Sequence, residues 1–380
     1  MEPMKEKILI LSGSYGNGHK QAARALCEAV PLRFSNVDTV MIDFMELIHP
    51  YLHRASRHLF IQGVKRFPAL YGYLYHKTRY INSFSRLQKT FNILGVRRLI
   101  NLLQRTQPTV VVSTFPIAAG AMSMLKSYGL TDVPTVTVIT DQTDHGYWIH
   151  PHTNQYVVGS DFVGESLKQL GIPEYKITAT GIPIRPKFCQ TFAKESLKAK
   201  HGVAPNLSTV LVMGGGCGII GGGVQSLLAL NNLPQKVNLI IVCGENNKLK
   251  QQLAAGLKDS KHQIHLTGYI DYVEELMAIA DIIITKPGGI TTAEAIAMEL
   301  PMLLYKPLPG QEEDNARFLL QTHAAIQADD DNDLTEKLAA VLTNSALLGN
   351  MKETARRLHQ KQAAFDALDV ILQTRFKAAR

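Results

Sequence analysis

The chain has 380 residues, 46% of them hydrophobic and 19% charged, with a formal net charge of +8. That length suits two or three domains of ~150 residues, and the composition excludes a disordered chain and a collagen-like repeat. Four scattered cysteines with no CxxC pair argue against a zinc ribbon or a thioredoxin-like motif and suit a reducing compartment.

The chain opens on a short apolar run that ends in glycines, too short for a signal peptide. No run of roughly 18 apolar residues occurs, so no transmembrane helix is expected and any membrane contact would be peripheral. Lys7–Leu11 is predicted as the first strand, followed by the loop SGSYGNGHKQAARAL. Gly13, Gly16 and Gly18 are spaced G-x-x-G-x-G, not the G-x-G-x-x-G of a dinucleotide fingerprint. Glycines there admit close backbone approach at the start of a helix predicted over Gly18–Val30, where anions are favoured. His19 falls in the first turn of that helix, whose N–H dipoles disfavour its protonated form. A neutral imidazole in that place can take a proton from a hydroxyl; equally, a helix-start histidine need have no role. The next strand is predicted at Val37–Ile42. Asp43 follows it, where a dehydrogenase would carry a ribose-binding acid.

Between Glu46 and Asp132 there is no acidic residue, although twelve Lys/Arg and eleven aromatic residues lie there. Residues 1–190 hold 21 basic and 12 acidic residues, 21 − 12 = +9, so the whole excess sits in this half. Helices in several pieces are predicted across Tyr51–Gln104. Basic residues interleaved with Tyr, Phe and Leu suit an anionic lipid surface, nucleic-acid phosphates, or a plain solvated face.

Further strands are predicted at Thr109–Ser113, Thr135–Ile139, Gln155–Val158 and Lys176–Ala179, with helices at Ile117–Ser127 and Phe162–Leu170. Asp141 ends a strand in VITDQTDHGYWIHPHTNQYVV, close in sequence to His145, His150, His152 and Trp148, the only tryptophan. His49 and His53 have helical metal spacing but no acidic neighbour, and no HExxH occurs, so no metal is expected. The segment GIPIRPKFCQTF, residues 181–192, carries two prolines and reads as an extended hinge.

The second half restarts the pattern. Strands are predicted at Thr209–Met213, Val237–Cys243, Gln263–Thr267, Asp281–Thr285 and Pro301–Tyr305. Helices fall at Val224–Leu230, Lys248–Leu257, Val273–Ala280, Thr292–Met298 and Glu312–Thr322, and two more within Leu334–Leu342 and Met351–Phe376. The loop MGGGCGIIGGGV, from Gly214 and Gly215 onward, is too costly in entropy for a passive turn and reads as a phosphate cradle, though not a P-loop. A second anion site is expected where Pro287-Gly288-Gly289 precedes a helix starting near Thr291 and Thr292. Glu294, in that helix's first turn, reads as a dipole-compensating acid or as a carboxylate holding ribose hydroxyls. Gln311 and Glu312 pair an amide with a carboxylate, as sugar hydroxyls require. Asp331-Asn332-Asp333 looks like a D-x-D motif, but Asp333 with Glu336 reads better as an N-cap and capping box.

Taken together the chain resembles the processive diacylglycerol glucosyltransferases and monogalactosyldiacylglycerol synthases of glycosyltransferase family 28. GSYGNGHKQAA, TDQTDHGYWI, TGIPIRPKF, TKPGGITTAEA and PLPGQEEDNA carry the resemblance over nearly the whole chain. It implies an α/β GT-B fold, two Rossmann-like doubly wound domains facing a central cleft. The expected divisions are 1–186 for acceptor and membrane, 187–355 for the UDP-sugar, and a C-terminal helix in 356–380 packing back on the N-terminal domain.

The resemblance also implies a metal-independent, inverting transfer from UDP-glucose, a substrate rather than a cofactor, to diacylglycerol and onward to the product glucolipid. By the same resemblance Glu294 would bind ribose, and Gln311 and Glu312 the hexose. Gly214, Gly215, Gly288, Gly289, Thr291 and Thr292 would surround the diphosphate. His19 would be the base, with Asp141 second. Gly16, Gly18, His145 and Trp148 would lie toward the acceptor or lipid, and Arg54, Arg57, Lys65, Arg66 and Arg79 would meet the membrane. With a lipid acceptor implied, the acid-free stretch is assigned to an anionic membrane surface and not to nucleic acid, which places a peripheral protein on the cytoplasmic face of the cell membrane. Gln142 replaces a usual aromatic and Cys217 a larger residue. UDP-galactose as donor, a polyprenyl-linked acceptor, and a UDP-sugar-dependent regulatory binder remain open.

Overall fold

The computed structural model describes residues 6–80, 93–214, 223–360 and 362–377. By contact the chain forms two units. The first comprises residues 1–186, 309–311 and 362–380, and the second 187–308 and 312–361. The second unit thus runs to Lys361 and not to residue 355, and the terminal segment joins the first unit from Gln362.

In the first unit six parallel strands lie in the order β2-β1-β3-β4-β5-β6. They are β1 Glu6–Ser12, β2 Val37–Asp43, β3 Val110–Ser113, β4 Thr135–Val138, β5 Gln155–Val158 and β6 Ile177–Ala179. Between them run α1 Asn17–Arg33, α2 Phe44–Ile48, α3 His53–Arg66, α4 Pro68–Thr78, α5 Ile93–Thr106, α6 Pro116–Ser127 and α7 Asp161–Gln169.

Side chains alternate across a strand, so β1 feeds two cores at once. Ile8 and Ile10 pack with Ala23, Leu26 and Val30 of α1, whereas Leu9 and Leu11 pack with Phe44, Leu99 and Met122. Each fully buried aliphatic contributes ~1.5–3 kcal/mol, which makes a strand buried on both faces a strong anchor for the loop that follows it. Pro68 and Pro116 start α4 and α6, where a missing N–H costs nothing.

The second unit repeats the plan in the order β12-β11-β10-β7-β8-β9, again parallel. Its strands are β7 Thr209–Met213, β8 Asn238–Val242, β9 Gln263–Thr267, β10 Ile282–Thr285, β11 Met302–Tyr305 and β12 Ala325–Ala328. Its helices are α8 Lys194–Lys200, α9 Gly223–Ala229, α10 Asn247–Gly256, α11 Val273–Ile279, α12 Gly289–Ala297, α13 Gln311–Gln321, α14 Asp331–Thr343 and α15 Ser345–Leu358. A last helix, α16 Ala363–Lys377, returns to the first unit. There Ala367, Leu368 and Ile371 cover the Ile8/Ile10 face, and Asp369 pairs with Arg33 of α1 at 2.8 Å.

The eleven predicted strands agree with the observed ones to within one residue at either end. Strand β12 and helices α2 and α8 are additional. The single stretch expected over Met351–Phe376 is two helices, because His359 leaves α15 in an extended conformation (φ −72°, ψ 133°). The N-cap of α14 is Asp330, accepting from the N–H groups of Asn332 and Asp333, so the box expected at Asp333 is not formed; Asp333 pairs with Lys337 instead.

In each sheet the chain turns from one side to the other at a single place, between β1 and β3 in the first and between β7 and β10 in the second. Ligands of doubly wound sheets bind outside the carboxyl ends of the strands at such switch points. The loops Gly13–Gly16 and Ser113–Phe115 flank the first switch. Gly214 and Lys286–Gly288 flank the second.

Candidate active site

The loop after β1 is held from several directions. Gly13 lies directly on the Phe115 ring, and a Cβ there would come within 2.7 Å of it. Ser14 is buried and hydrogen-bonds the Asp43 carboxylate. The same carboxylate takes Lys20 at 3.1 Å and caps α2 through the N–H groups of Met45 and Glu46. Burial raises the Asp43 carboxyl, but bonds from Ser14, Lys20 and Glu46 outweigh it and leave the group below its ordinary value. Asp43 therefore spends its acceptors inside the fold, and the ribose-binding reading of it is set aside.

His19 occupies the first turn of α1, whose N-cap Gly16 is extended and adds no side-chain cap. Gly16 is exposed and Gly18 half-buried. The Thr114 hydroxyl donates to the His19 carbonyl at 3.0 Å. The imidazole is half-buried, edge-on to Phe115 at 5.3 Å and to Trp148 at 5.7 Å between ring centres. Its Nδ1 lies 2.9 Å from Thr140 Oγ1. Burial pulls its pKa down to about 4, against a weaker upward pull from the Thr114 backbone, so the ring is neutral at pH 7. Asp141, 7% exposed, directly follows Thr140.

Other residues expected near acceptor or lipid serve the interior. His145 is buried: Nε2 lies 2.9 Å from the Tyr75 carbonyl, and Nδ1 accepts from the Tyr147 N–H. That network calls for the neutral tautomer protonated on Nε2. Arg79 pairs with Asp144, and its carbonyl accepts from Gly146. Together these bonds latch α4 to the loop after β4, so neither side chain is presented to a surface. Trp148 is 4% exposed and packs with Ile139 and Tyr156, inside rather than at a lipid face. Gln142 accepts from Ser160 at 2.6 Å and packs over Gly159, where an aromatic would have to displace that contact.

Arg54, Arg57 and Arg66 are exposed. Beside them on α3, α4 and the adjoining turns, Tyr51, Leu52, Leu59, Phe67, Leu70 and Tyr73 are each more than half exposed. The Lys65 side chain lies outside the described residues.

In the second unit, Gly214 is half-buried at the carboxyl end of β7; Gly215 and Cys217 lie outside the described residues. Gly288 caps α12 with no side chain, so the N–H groups of Gly289, Ile290 and Thr291 point out of the helix without a partner inside it. Thr291 is half-exposed at this end. Thr292 is not: its buried hydroxyl donates to the carbonyls of Gly288 and Gly289, which turns it away from any ligand there. Glu294 is 8% exposed, one turn inside the helix. Gln311 is exposed at the start of α13, and Glu312 accepts from the Leu308 N–H at 2.7 Å, closing the proline loop. Asn315, fully buried, donates to the Pro287 carbonyl and so ties α13 to the loop before α12.

Sequence reasoning missed Thr140, Thr114 and Phe115, which fix His19, and Asn315, which fixes the second loop. Thr114 and Thr140 are polar residues at strand ends, a recognisable signal; Phe115 gives none. Among the described residues no three His, Cys, Asp or Glu side chains come together as a metal site, and no helix is long and apolar enough to cross a membrane.

The family model Monogalactosyldiacylglycerol (MGDG) synthase matches residues 19–184, and the Glycosyltransferase family 28 C-terminal domain matches residues 209–370. A processive diacylglycerol beta-glucosyltransferase of Bacillus cereus is 32% identical over 366 residues, 96% of this chain and 93% of its own. Among solved structures, Acinetobacter baumannii MurG superposes with a TM-score of 0.62 at 15% identity, covering 97% of this chain and 99% of its own. The UDP-GlcNAc 2-epimerase of Neisseria meningitidis gives 0.62 at 15%, covering 97% and 100%. The fold is GT-B, and a fold common to a transferase and an epimerase does not choose a reaction.

Proposed function

The chain belongs to the diacylglycerol glycosyltransferase family, glycolipid hexosyltransferases of glycosyltransferase family 28, and on that premise we propose that it moves glucose from UDP-glucose to 1,2-diacylglycerol and onward to the product glucolipid. The observation that carries the reading is a pairing within the first unit. A neutral histidine stands at the head of the sheet, and the α3–α4 region of the same unit exposes apolar and basic side chains with no acid between Glu46 and Asp132.

In this reading His19 Nδ1–H donates to Thr140, which leaves Nε2 to take the proton of the acceptor hydroxyl as that oxygen attacks the anomeric carbon. Asp141 is the second candidate for that proton. The free N–H groups at the start of α12, with Gly214 and Gly215, hold the diphosphate, and Thr291 adds a hydroxyl. Glu294 takes the ribose, and Gln311 and Glu312 the hexose. The helix end offsets charge growing on the UDP leaving group, a task that a metal performs elsewhere, so no metal is required. Attack opposite the leaving group inverts an α-linked donor to a β-glucolipid.

Thin-layer analysis of lipids made from radiolabelled UDP-glucose and diacylglycerol vesicles tests this. Products with one and then more sugars are expected. Label transferred only from UDP-galactose, or only to a polyprenyl-linked acceptor, would refute the donor or the acceptor.

The exposed arginines are proposed to dock the protein as a peripheral enzyme on the anionic, cytoplasmic face of the cell membrane. Each basic residue near such a surface contributes ~1 kcal/mol, so Arg54→Gln with Arg57→Gln should lower partitioning onto anionic vesicles about thirtyfold. Vesicle sedimentation reads this directly. Binding indifferent to the substitutions and to 1 M salt (roughly, a 3 Å Debye length) would count against it.

A further inference from the structure

Helix α3 is weakly rooted: of its described side chains only His53 is buried. One residue of the glycine loop grips it. Tyr15 places its hydroxyl 2.5 Å from Ser56 Oγ and its ring edge-on to Phe60, one turn further along α3, at 5.4 Å. The same ring stacks on Phe115 at 6.1 Å with 21° between planes. Phe115, 4% exposed, in turn meets the His19 ring and supports Gly13. An unbroken series of ring contacts therefore joins α3, which bears exposed Arg54, Arg57, Leu59 and Phe60, to the histidine at the sheet's switch point.

We propose that Tyr15 is a positioning residue that couples the seating of α3 on a lipid surface to the placement of His19, so that the enzyme turns over faster at a membrane than in solution. The proposal rests on the docking and base assignments above. Its physical content is a differential contact. A helix free to shift carries Phe60 and Ser56 with it, and with them the ring that packs Phe115 against His19. A lipid surface that prefers one seating of α3 thereby selects one arrangement of that stack. Interiors pack too densely for one ring of such a stack to move alone.

The test compares two acceptors with UDP-glucose, long-chain diacylglycerol in anionic vesicles and a short-chain diacylglycerol kept monomeric, with vesicle sedimentation followed separately. Wild-type kcat/KM should be at least ~tenfold higher on vesicles, and Tyr15→Leu should cut that ratio about fivefold or more while still sedimenting and keeping its KM for UDP-glucose. Tyr15→Phe, which keeps the stacked ring, should hold the ratio within about twofold of wild type. A Tyr15→Leu enzyme slowed equally on both acceptors, or on neither, would overturn the coupling, as would a wild type with no surface preference. Wild type that fails to sediment would instead overturn the docking on which the proposal depends, and the coupling with it.

Discussion

His19→Ala is expected to lower turnover by more than ~100-fold while UDP binding survives, the usual size of a lost general base. The argument is geometric before it is electrostatic. The imidazole is fixed by Thr140 at Nδ1 and by edge-on contacts with Phe115 and Trp148, and the backbone that carries it by Thr114 at the His19 carbonyl. With a pKa pulled down to about 4 by burial, it stays in the basic form well below neutrality. Turnover limited by this group should hold level as pH falls from 7 and drop only toward about 4. Stability should fail earlier. Between the unfolded value of ~6.5 and about 4, the unfolded chain binds a proton that the native imidazole refuses, so stability declines as pH falls through that window. His150, buried and likewise pulled down to about 4, adds to the decline. A steady-state pH profile beside a denaturation series separates the two effects. Near-normal turnover of His19→Ala would move the role to Asp141.

Gly288→Val should abolish most donor binding without unfolding the protein. The backbone at Gly288 sits at φ −73° and ψ 138°, a conformation any residue adopts, and a Cβ built there meets nothing within 4 Å. Nothing in the fold demands glycine at this position. Gly288 directly precedes the free N–H groups of α12, and a valine there is expected to crowd the space where the diphosphate is proposed to sit. Each charge-assisted hydrogen bond denied there is worth ~1.5–3 kcal/mol, so a loss on the order of 100-fold in UDP affinity is expected, with the melting temperature of the unliganded protein nearly unchanged. Calorimetric titration with UDP provides the check. Unaltered affinity would remove α12 from the donor site.

The fold was legible because its strands are buried on both faces and so appear as short β-branched runs, as at Val110–Ser113 and Ile282–Thr285. Strand β12, AIQA, was not, because an alanine-rich edge segment has no such run. At the site, His19 and the loop before α12 were marked locally, by glycines beside a helix start. His145, Trp148 and Arg79 do not face a lipid surface because burial is decided by residues distant in sequence: Tyr75 for His145, Tyr156 for Trp148 and Asp144 for Arg79. The resemblance put Thr292 beside the diphosphate, yet its hydroxyl satisfies its own helix.

The return of α16 to the first unit bears on the order of assembly. Residues 363–377 leave the ribosome only after the whole second unit, yet they cover the Ile8/Ile10 face of the first strand made. Until then that face lacks part of its apolar partner, whereas the second unit already has nearly all of its chain. Domains generally fold as they emerge, N-terminal first, but contacts this distant in sequence are slow to form. The second unit should therefore reach its native packing first, and the first unit, which carries His19, should wait for its last helix.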